Sequence, residues 1–390
     1  MYDMETPFFL IHEDGLRANI RGFEDACKKY WPNHQVAYSV KTNSTPWILK
    51  WMHRNGVFAE VVSDEEYELA LLCEFNGDQI VFNGPIKTDD YLNRSFSSGS
   101  IVNIDSEHEL EYIEREKPEI NGNLGIRLNM DPTIFDKQDV EFQSDGFRFG
   151  FGVENGEFGK VVNLLEGIYH NRSFGLHLHI NSITRSVNVY RAIARYTAGV
   201  IREYNLTPAY VDIGGGFFGG VPGKATPDDY ISVIRNELSV VVDTKTTKLI
   251  IEPGSAAVGS CVDLYTSVID VKDTGSGRIV TTDGSRIHID PLWLKKGYLH
   301  RLETTGDQAS RQVICGYTCM DHDRLMVLEN EPELSVGDRI IYEKVGNYTM
   351  TFGGPFIRYF PDAYIEEDGK ILRIRKRISV QDYYDIQSCE

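Results

Sequence analysis

The chain has 390 residues, of which 41% are hydrophobic and 25% charged, and a formal net charge of −18. That length allows two domains, because single cores rarely grow beyond about 250–300 residues. The acidic balance argues against a nucleic-acid partner, which needs clustered cations, and no run approaches the roughly 18 apolar residues of a membrane span. Six cysteines are spread too thinly for a disulfide framework. With no basic-then-apolar leader at the N-terminus, a cytoplasmic location is expected.

From residue 35 onward one unit repeats: a short β-rich run, a polar loop, then a helical pattern. The runs are 35–40, 57–62, 79–83, 100–105, 123–129, 173–180, 208–213 and 248–252. Most are apolar nearly throughout, as strands buried on both faces should be. Helix starts are marked by Ser44-Thr45-Pro46, Ser63-Asp64-Glu65-Glu66, Ser106-Glu107-His108-Glu109 and Thr226-Pro227-Asp228-Asp229. Eight β-then-α units predict a parallel (β/α)8 TIM-like barrel over 28–258. After Glu252 the pattern changes to antiparallel-looking strands at 261–271, 278–282, 286–289, 311–314, 339–343 and 371–377. These predict a C-terminal antiparallel, β-barrel-like domain over 259–390. The N-terminal residues 1–27 would cross over to it, with run 8–12 pairing there. The basic alternation Arg373-Ile374-Arg375-Lys376-Arg377 reads as an edge strand blunted by charge rather than a nucleic-acid patch.

In such a barrel the site lies at the C-terminal strand ends, and the reactive side chains fall there with regularity. Lys41 ends the first run, Glu60 lies in the second and Arg127 in the fifth. His177 and His179 lie in the sixth, Asp212 and Gly214-Gly215-Gly216 follow the seventh, and Glu252 ends the eighth. A lysine after a strand is usually a solvated charge. At a barrel mouth, partial desolvation would favour the free amine that a Schiff base needs. Three glycines after the seventh strand allow backbone N–H groups to approach a phosphate. Glu252 reads either as an ordinary strand-end carboxylate or as the partner of a pyridine nitrogen. His179 is assigned above a cofactor ring and His177 to packing. The stretch from Cys315 to Asp323 has thiols, an imidazole and carboxylates but no second ligand cluster, so no metal is expected.

Together these residues resemble the fold-type III pyridoxal-phosphate decarboxylases, the family of the diaminopimelate, ornithine and arginine decarboxylases, whose architecture is alanine-racemase-like. The resemblance runs from about Phe8 to about Phe360. Its motifs are Tyr38-Ser39-Val40-Lys41-Thr42-Asn43, His179-Ile180-Asn181-Ser182, Gly214-Gly215-Gly216-Phe217, Glu252-Pro253-Gly254-Ser255, Cys319-Met320-Asp321-His322-Asp323 and Gly346-Asn347-Tyr348, in the family's order. The resemblance implies decarboxylation of an amino acid or amino-acid conjugate to an amine and carbon dioxide. It implies that Lys41 carries pyridoxal 5'-phosphate and that His179 stacks on its ring. Ser182, Gly214, Gly215, Gly216 and Tyr348 would bind phosphate, and Glu252 would meet the ring nitrogen. Glu60 and Arg127 would make polar contacts near the ring, as would Glu66 unless it only caps its helix. Cys319 would act across a homodimer interface as a proton donor. Asp290, Met320, Asp321 and Phe356 are the expected substrate contacts.

Two departures stand out. Ser255 replaces the family's phosphate-side arginine. Met320 replaces the acidic residue that holds a distal amine, which disfavours lysine, ornithine and diaminopimelate and suggests a substrate from secondary metabolism. Two other functions fit the same fold: an amino-acid racemase, and a non-catalytic homologue that regulates partners.

Overall fold

A computed structural model of the chain describes residues 4–389, apart from 142, 143, 171, 294 and 296. The chain divides into two compact units, Asn19–Ala257 and the remainder, Met1–Ala18 with Val258–Glu390. The division falls inside helix α1 (Glu13–Tyr30) rather than at residues 27 and 28, since the helix runs through it.

The larger unit is a closed parallel barrel. β1 (Phe8–His12) belongs to the other unit; the barrel begins with β2 (His34–Ser39), β3 (Phe58–Val61), β4 (Ile80–Phe82), β5 (Ile101–Ile104) and β6 (Asn123–Asn129). A two-residue strand, β7 (Phe151–Gly152), pairs only with β6. β8 (Gly175–His177), β9 (Tyr210–Asp212) and β10 (Lys248–Ile251) complete the set. All eight barrel pairings are parallel, β5 joins β6, and β10 returns to β2, which closes the ring. The helices follow their start signals. α2 (Pro46–Arg54) has Pro46 in its first turn, and Ser63 Oγ accepts from Glu66 N at the start of α3 (Asp64–Leu72). Next come α4 (Asp89–Ser97) and α5 (Glu107–Glu116), the latter opening with a reciprocal Ser106–Glu109 capping box. α6 (Glu157–Ile168) and α7 (Val187–Glu203) follow, and α8 (Pro227–Leu238) starts with a Thr226–Asp229 box.

The strand period of two sorts the barrel interior into layers. Ala37, Val81, Ile101, Tyr210 and Ile250 form a buried apolar cluster with Phe58 packed against it. Gly125 and Gly175 leave room for the Tyr210 ring; a methyl group on either would sit 2.1 Å or less from its atoms. Two residues further along each strand, on the same face, stand Ser39, Glu60, Asn83, Asn103, Arg127, His177, Asp212 and Glu252. All eight are buried. A polar layer thus rests directly on an apolar plug.

The second unit is a nine-stranded mixed sheet. Its strands are β1, β11 (Val262–Thr274), β12 (Gly277–Thr282), β13 (His300–Glu303), β14 (Gln308–Cys315), β15 (Arg324–Pro332), β16 (Arg339–Tyr342), β17 (Asp362–Glu367) and β18 (Lys370–Arg375). The expectation of a purely antiparallel domain is corrected by two parallel pairings, β1 with β17 and β12 with β14. Residues 286–289 form a helical turn, not a strand. Ser285 Oγ accepts from Ile287 N, and Asp323 takes Arg286 N at 3.0 Å, so these amides are not available to a ladder. β18 ends the sheet path, as its charged alternation predicts. Among the described residues no helix is long and apolar enough to cross a membrane.

Candidate active site

Lys41 sits in a short 3-10 turn directly after β2. Its Nζ donates to Glu60 Oε2 at 2.9 Å and Oε1 at 3.2 Å. Desolvation alone therefore does not describe Lys41: its side chain is about a third exposed and faces a buried carboxylate. Burial pushes the Glu60 carboxyl up, but the Lys41 charge and hydrogen bonds from Ser39, Lys41 and Asn83 outweigh it and hold it below the usual range. Ser39 Oγ lies 2.5 Å from Glu60 Oε2.

Asn83 joins this pair to the opposite wall. Its Nδ2 donates to Glu60 Oε1 at 3.1 Å and to Glu252 Oε1 at 2.6 Å. Asn103 Nδ2 donates to Asn83 Oδ1 at 2.8 Å and to Asp212 Oδ2 at 3.2 Å, while Tyr210 Oη donates to Asn103 Oδ1 at 2.6 Å. Gly214 N donates to Asp212 Oδ1 at 2.9 Å. Burial, then the charges of Asp212 and Glu60, push the Glu252 carboxyl well up. Asp212 is raised to about 6, again chiefly by burial. Burial and mutual repulsion thus oppose ionisation of both carboxyls at once.

His177 is buried in the same layer. Its Nε2 is 3.9 Å from Glu252 Oε2, and among the described residues neither ring nitrogen has a hydrogen-bond partner. Burial and the Arg127 charge hold it neutral, far below its usual range. Burial and Arg127 likewise bring His179 down to about 3, and its Nδ1 accepts from Gly215 N at 3.2 Å. Arg127 is anchored by Asp105 at 2.6 Å and lies 4.4 Å from the Phe149 ring centroid; its Nε is buried with no hydrogen-bond partner among the described residues.

The glycine loop is shaped for close approach. Gly214 and Gly216 have φ of +70° and +87°, conformations that side chains resist. A Cβ on Gly214 would meet His179 at 2.6 Å, and one on Gly215 would meet the Glu252 carbonyl at 2.3 Å. Ser182 is buried and accepts from Arg185 N at 3.0 Å.

These residues fit a flat, phosphorylated pyridine aldehyde. Glycine amides and a serine hydroxyl suit a phosphate, the neutral, half-buried imidazole of His179 suits an aromatic ring, and the paired carboxyls suit a protonated ring nitrogen. His177, Asp212 and Glu252 could also be grouped as metal ligands, but the carboxyls are tied up with each other and with Asn83, Asn103 and Gly214 N.

The family model for the pyridoxal-binding domain of pyridoxal-dependent decarboxylases matches residues 17–259. The chain belongs to that family. The decarboxylase is 27% identical to a probable chloroplastic diaminopimelate decarboxylase of Oryza sativa subsp. japonica, over 97% of this chain and 79% of the relative. It is 25% identical to the diaminopimelate decarboxylase of Aquifex aeolicus, over 95% and 89%. In fold it is similar to the diaminopimelate decarboxylase of M. jannaschii crystallised with L-lysine, with a TM-score of 0.85, 22% identity, and 99% and 92% of the two chains covered. The decarboxylase is thus a carboxy-lyase of amino-acid metabolism that uses pyridoxal phosphate.

Of the expected site residues, Lys41, Glu60, Arg127, His179, Ser182, Gly214, Gly215, Gly216 and Glu252 lie in the barrel unit. Tyr348, Cys319, Met320, Asp321, Asp290 and Phe356 lie in the other. Cys319 and Asp321 are exposed, as is Phe356. Asp290 is already engaged within its own unit: Arg286, Tyr298 Oη and Lys295 N all donate to its Oδ2 at 2.9–3.2 Å. Glu66 accepts from Val62 N and is pushed up to about 7 by burial and by Glu60. Sequence reasoning missed Asn83 and Asn103. The available signal was an asparagine within each of two β runs, where that residue is disfavoured unless its amide is used.

Proposed function

We propose that the chain decarboxylates an amino acid at the barrel mouth, with Lys41 as the residue that carries the cofactor. The observation that carries this reading is the continuous hydrogen-bonded line from Lys41 through Glu60 and Asn83 to Glu252. When bound, pyridoxal phosphate supplies an electron sink for the bond that loses carbon dioxide. Glu60, held ionised, orients the Lys41 amine by accepting its hydrogen bonds. Glu252, backed by Asp212, fixes a proton facing the ring nitrogen. The half-buried, neutral His179 offers its ring face to the cofactor ring, and Ser182 with the three glycines binds phosphate.

Cys319 is the proposed proton donor to the product carbon, acting in a homodimer. An exposed thiol, together with exposed Phe352, Phe356 and Ile357 in the same unit, supports a face covered by a second copy. For the substrate, the relatives' names point to diaminopimelate, whereas Met320 offers no charge for a distal amine and Asp290 is already engaged. The proposed substrate is therefore an amino-acid conjugate whose distal part is not a bare cation.

A panel of amino acids and conjugates tests this through trapped carbon dioxide. Stoichiometric gas with an amine product is expected, and Lys41→Ala should abolish it. An inverted enantiomer without gas would replace decarboxylation by racemisation. A clear preference for lysine, ornithine or diaminopimelate would overturn the substrate assignment.

A further inference from the structure

A cation strengthens a phosphate site built from amides, and the position after Glu252-Pro253-Gly254 holds the uncharged Ser255. The barrel unit offers a substitute elsewhere. Arg185 follows Ser182 by three residues, and its own N–H donates to the Ser182 hydroxyl at 3.0 Å. Its carbonyl accepts from Tyr230 Oη at 2.7 Å, and that same oxygen accepts from Phe218 N at 3.4 Å. One phenol thus ties the serine segment to the end of the glycine loop. The Arg185 guanidinium donates to the Phe217 carbonyl at 3.5 Å and lies 5.4 Å from the Phe218 ring centroid.

Two features point to an anion there. Lys224 lies over the same Phe218 ring at 5.3 Å, so two cations converge on one side chain. Among the described residues no carboxylate forms an ion pair with either of them, whereas Arg94, Arg127, Arg195, Arg278 and Arg286 each have one. Like charges gathered without a counter-charge are unfavourable until an anion joins them. Arg185 also has a φ of +52°, a conformation L residues avoid, and such strain collects at functional sites.

We infer that Arg185 is the cationic phosphate ligand of this decarboxylase, with Lys224 as an outer cation. This rests on the reading of Ser182, Gly214, Gly215 and Gly216 as the phosphate cradle. Arg185 acts in cofactor binding, not in the chemistry.

The test compares binding of pyridoxal phosphate and of pyridoxal, which lacks the phosphate, by the absorbance change of the purified protein. Wild type should prefer the phosphorylated form. Arg185→Gln should weaken pyridoxal phosphate about ten- to hundredfold, the range for a charge-assisted hydrogen bond, and leave pyridoxal unchanged. Arg185→Lys should restore most of the loss, and Lys224→Met should cost about threefold or less, as for a screened exposed charge. If wild type binds both compounds equally, the cradle itself is wrong and the inference falls with it. If wild type discriminates and Arg185→Gln discriminates as well, the cradle stands and Arg185 is not its cation. A loss of both affinities together in Arg185→Gln and Arg185→Lys would make the residue structural and also overturn the inference.

Discussion

Asn83 is the residue on which the polar layer depends. Its single amide nitrogen serves two carboxyl groups on different strands, Glu60 and Glu252. Asn83→Leu leaves both acceptors buried without that donor, at about 1–3 kcal/mol per lost partner. The expected result is a lower midpoint in thermal unfolding together with weaker cofactor retention; an unchanged midpoint would show that the two carboxyls do not need the amide. Glu66 makes a second residue-scale case. Its carboxyl titrates near 7 in the fold against 4.5 normally. A raised carboxyl contributes stability that is complete below about pH 4.5 and lost as pH rises through 7. Glu66→Gln keeps an acceptor for Val62 N, so it should be more stable than wild type at pH 8 by about 2–3 kcal/mol and no more stable at pH 4. Equal pH dependence of the two proteins would refute the burial argument.

At the scale of elements, strand periodicity places the site. Ala37, Val81, Ile101, Tyr210 and Ile250 mark one buried layer, and stepping two residues along their strands reaches Ser39, Asn83, Asn103, Asp212 and Glu252. Lys87 and Glu109 then hold the loops above β4 and β5. Their side chains are fully buried and 2.6 Å apart, Lys87 also donates to the Asn103 carbonyl, and Glu109 accepts the start of α5. Lys87→Met should cost about 3–5 kcal/mol, because it strands a buried carboxylate; urea titration measures it, and a cost below about 1 kcal/mol would mean that the capping bonds alone satisfy Glu109. The eight barrel runs were legible because parallel strands carry their burial in a continuous apolar pattern. The second unit was less so. Residues 286–289 alternate like a strand but turn into a helix under the pull of the adjacent cap Ser285 and of Asp323, which lies 37 residues from Arg286 and outside any local pattern. Strands β13, β15 and β17 were not anticipated, since their half-exposed, charge-rich sequences lack a clear period. The network through Asn83 and Asn103 was hidden for the same reason: its bonds join strands about twenty to over a hundred residues apart.

At the scale of the whole molecule, the expected catalytic groups divide between two units, with Lys41 in the barrel and Cys319 in the mixed sheet. A homodimer is the proposed assembly, and sedimentation should give twice the 44.3 kDa chain mass; a monomer that still turns over would remove the partner from the chemistry. Everything else depends on where the cofactor is attached. Borohydride reduction of the pyridoxal-phosphate-loaded protein, followed by peptide mass spectrometry, locates it most directly. The expected result is one pyridoxyl phosphate group per chain, on Lys41, and none in Lys41→Ala. Attachment to any other lysine, or no attachment to wild type, would contradict the assignment.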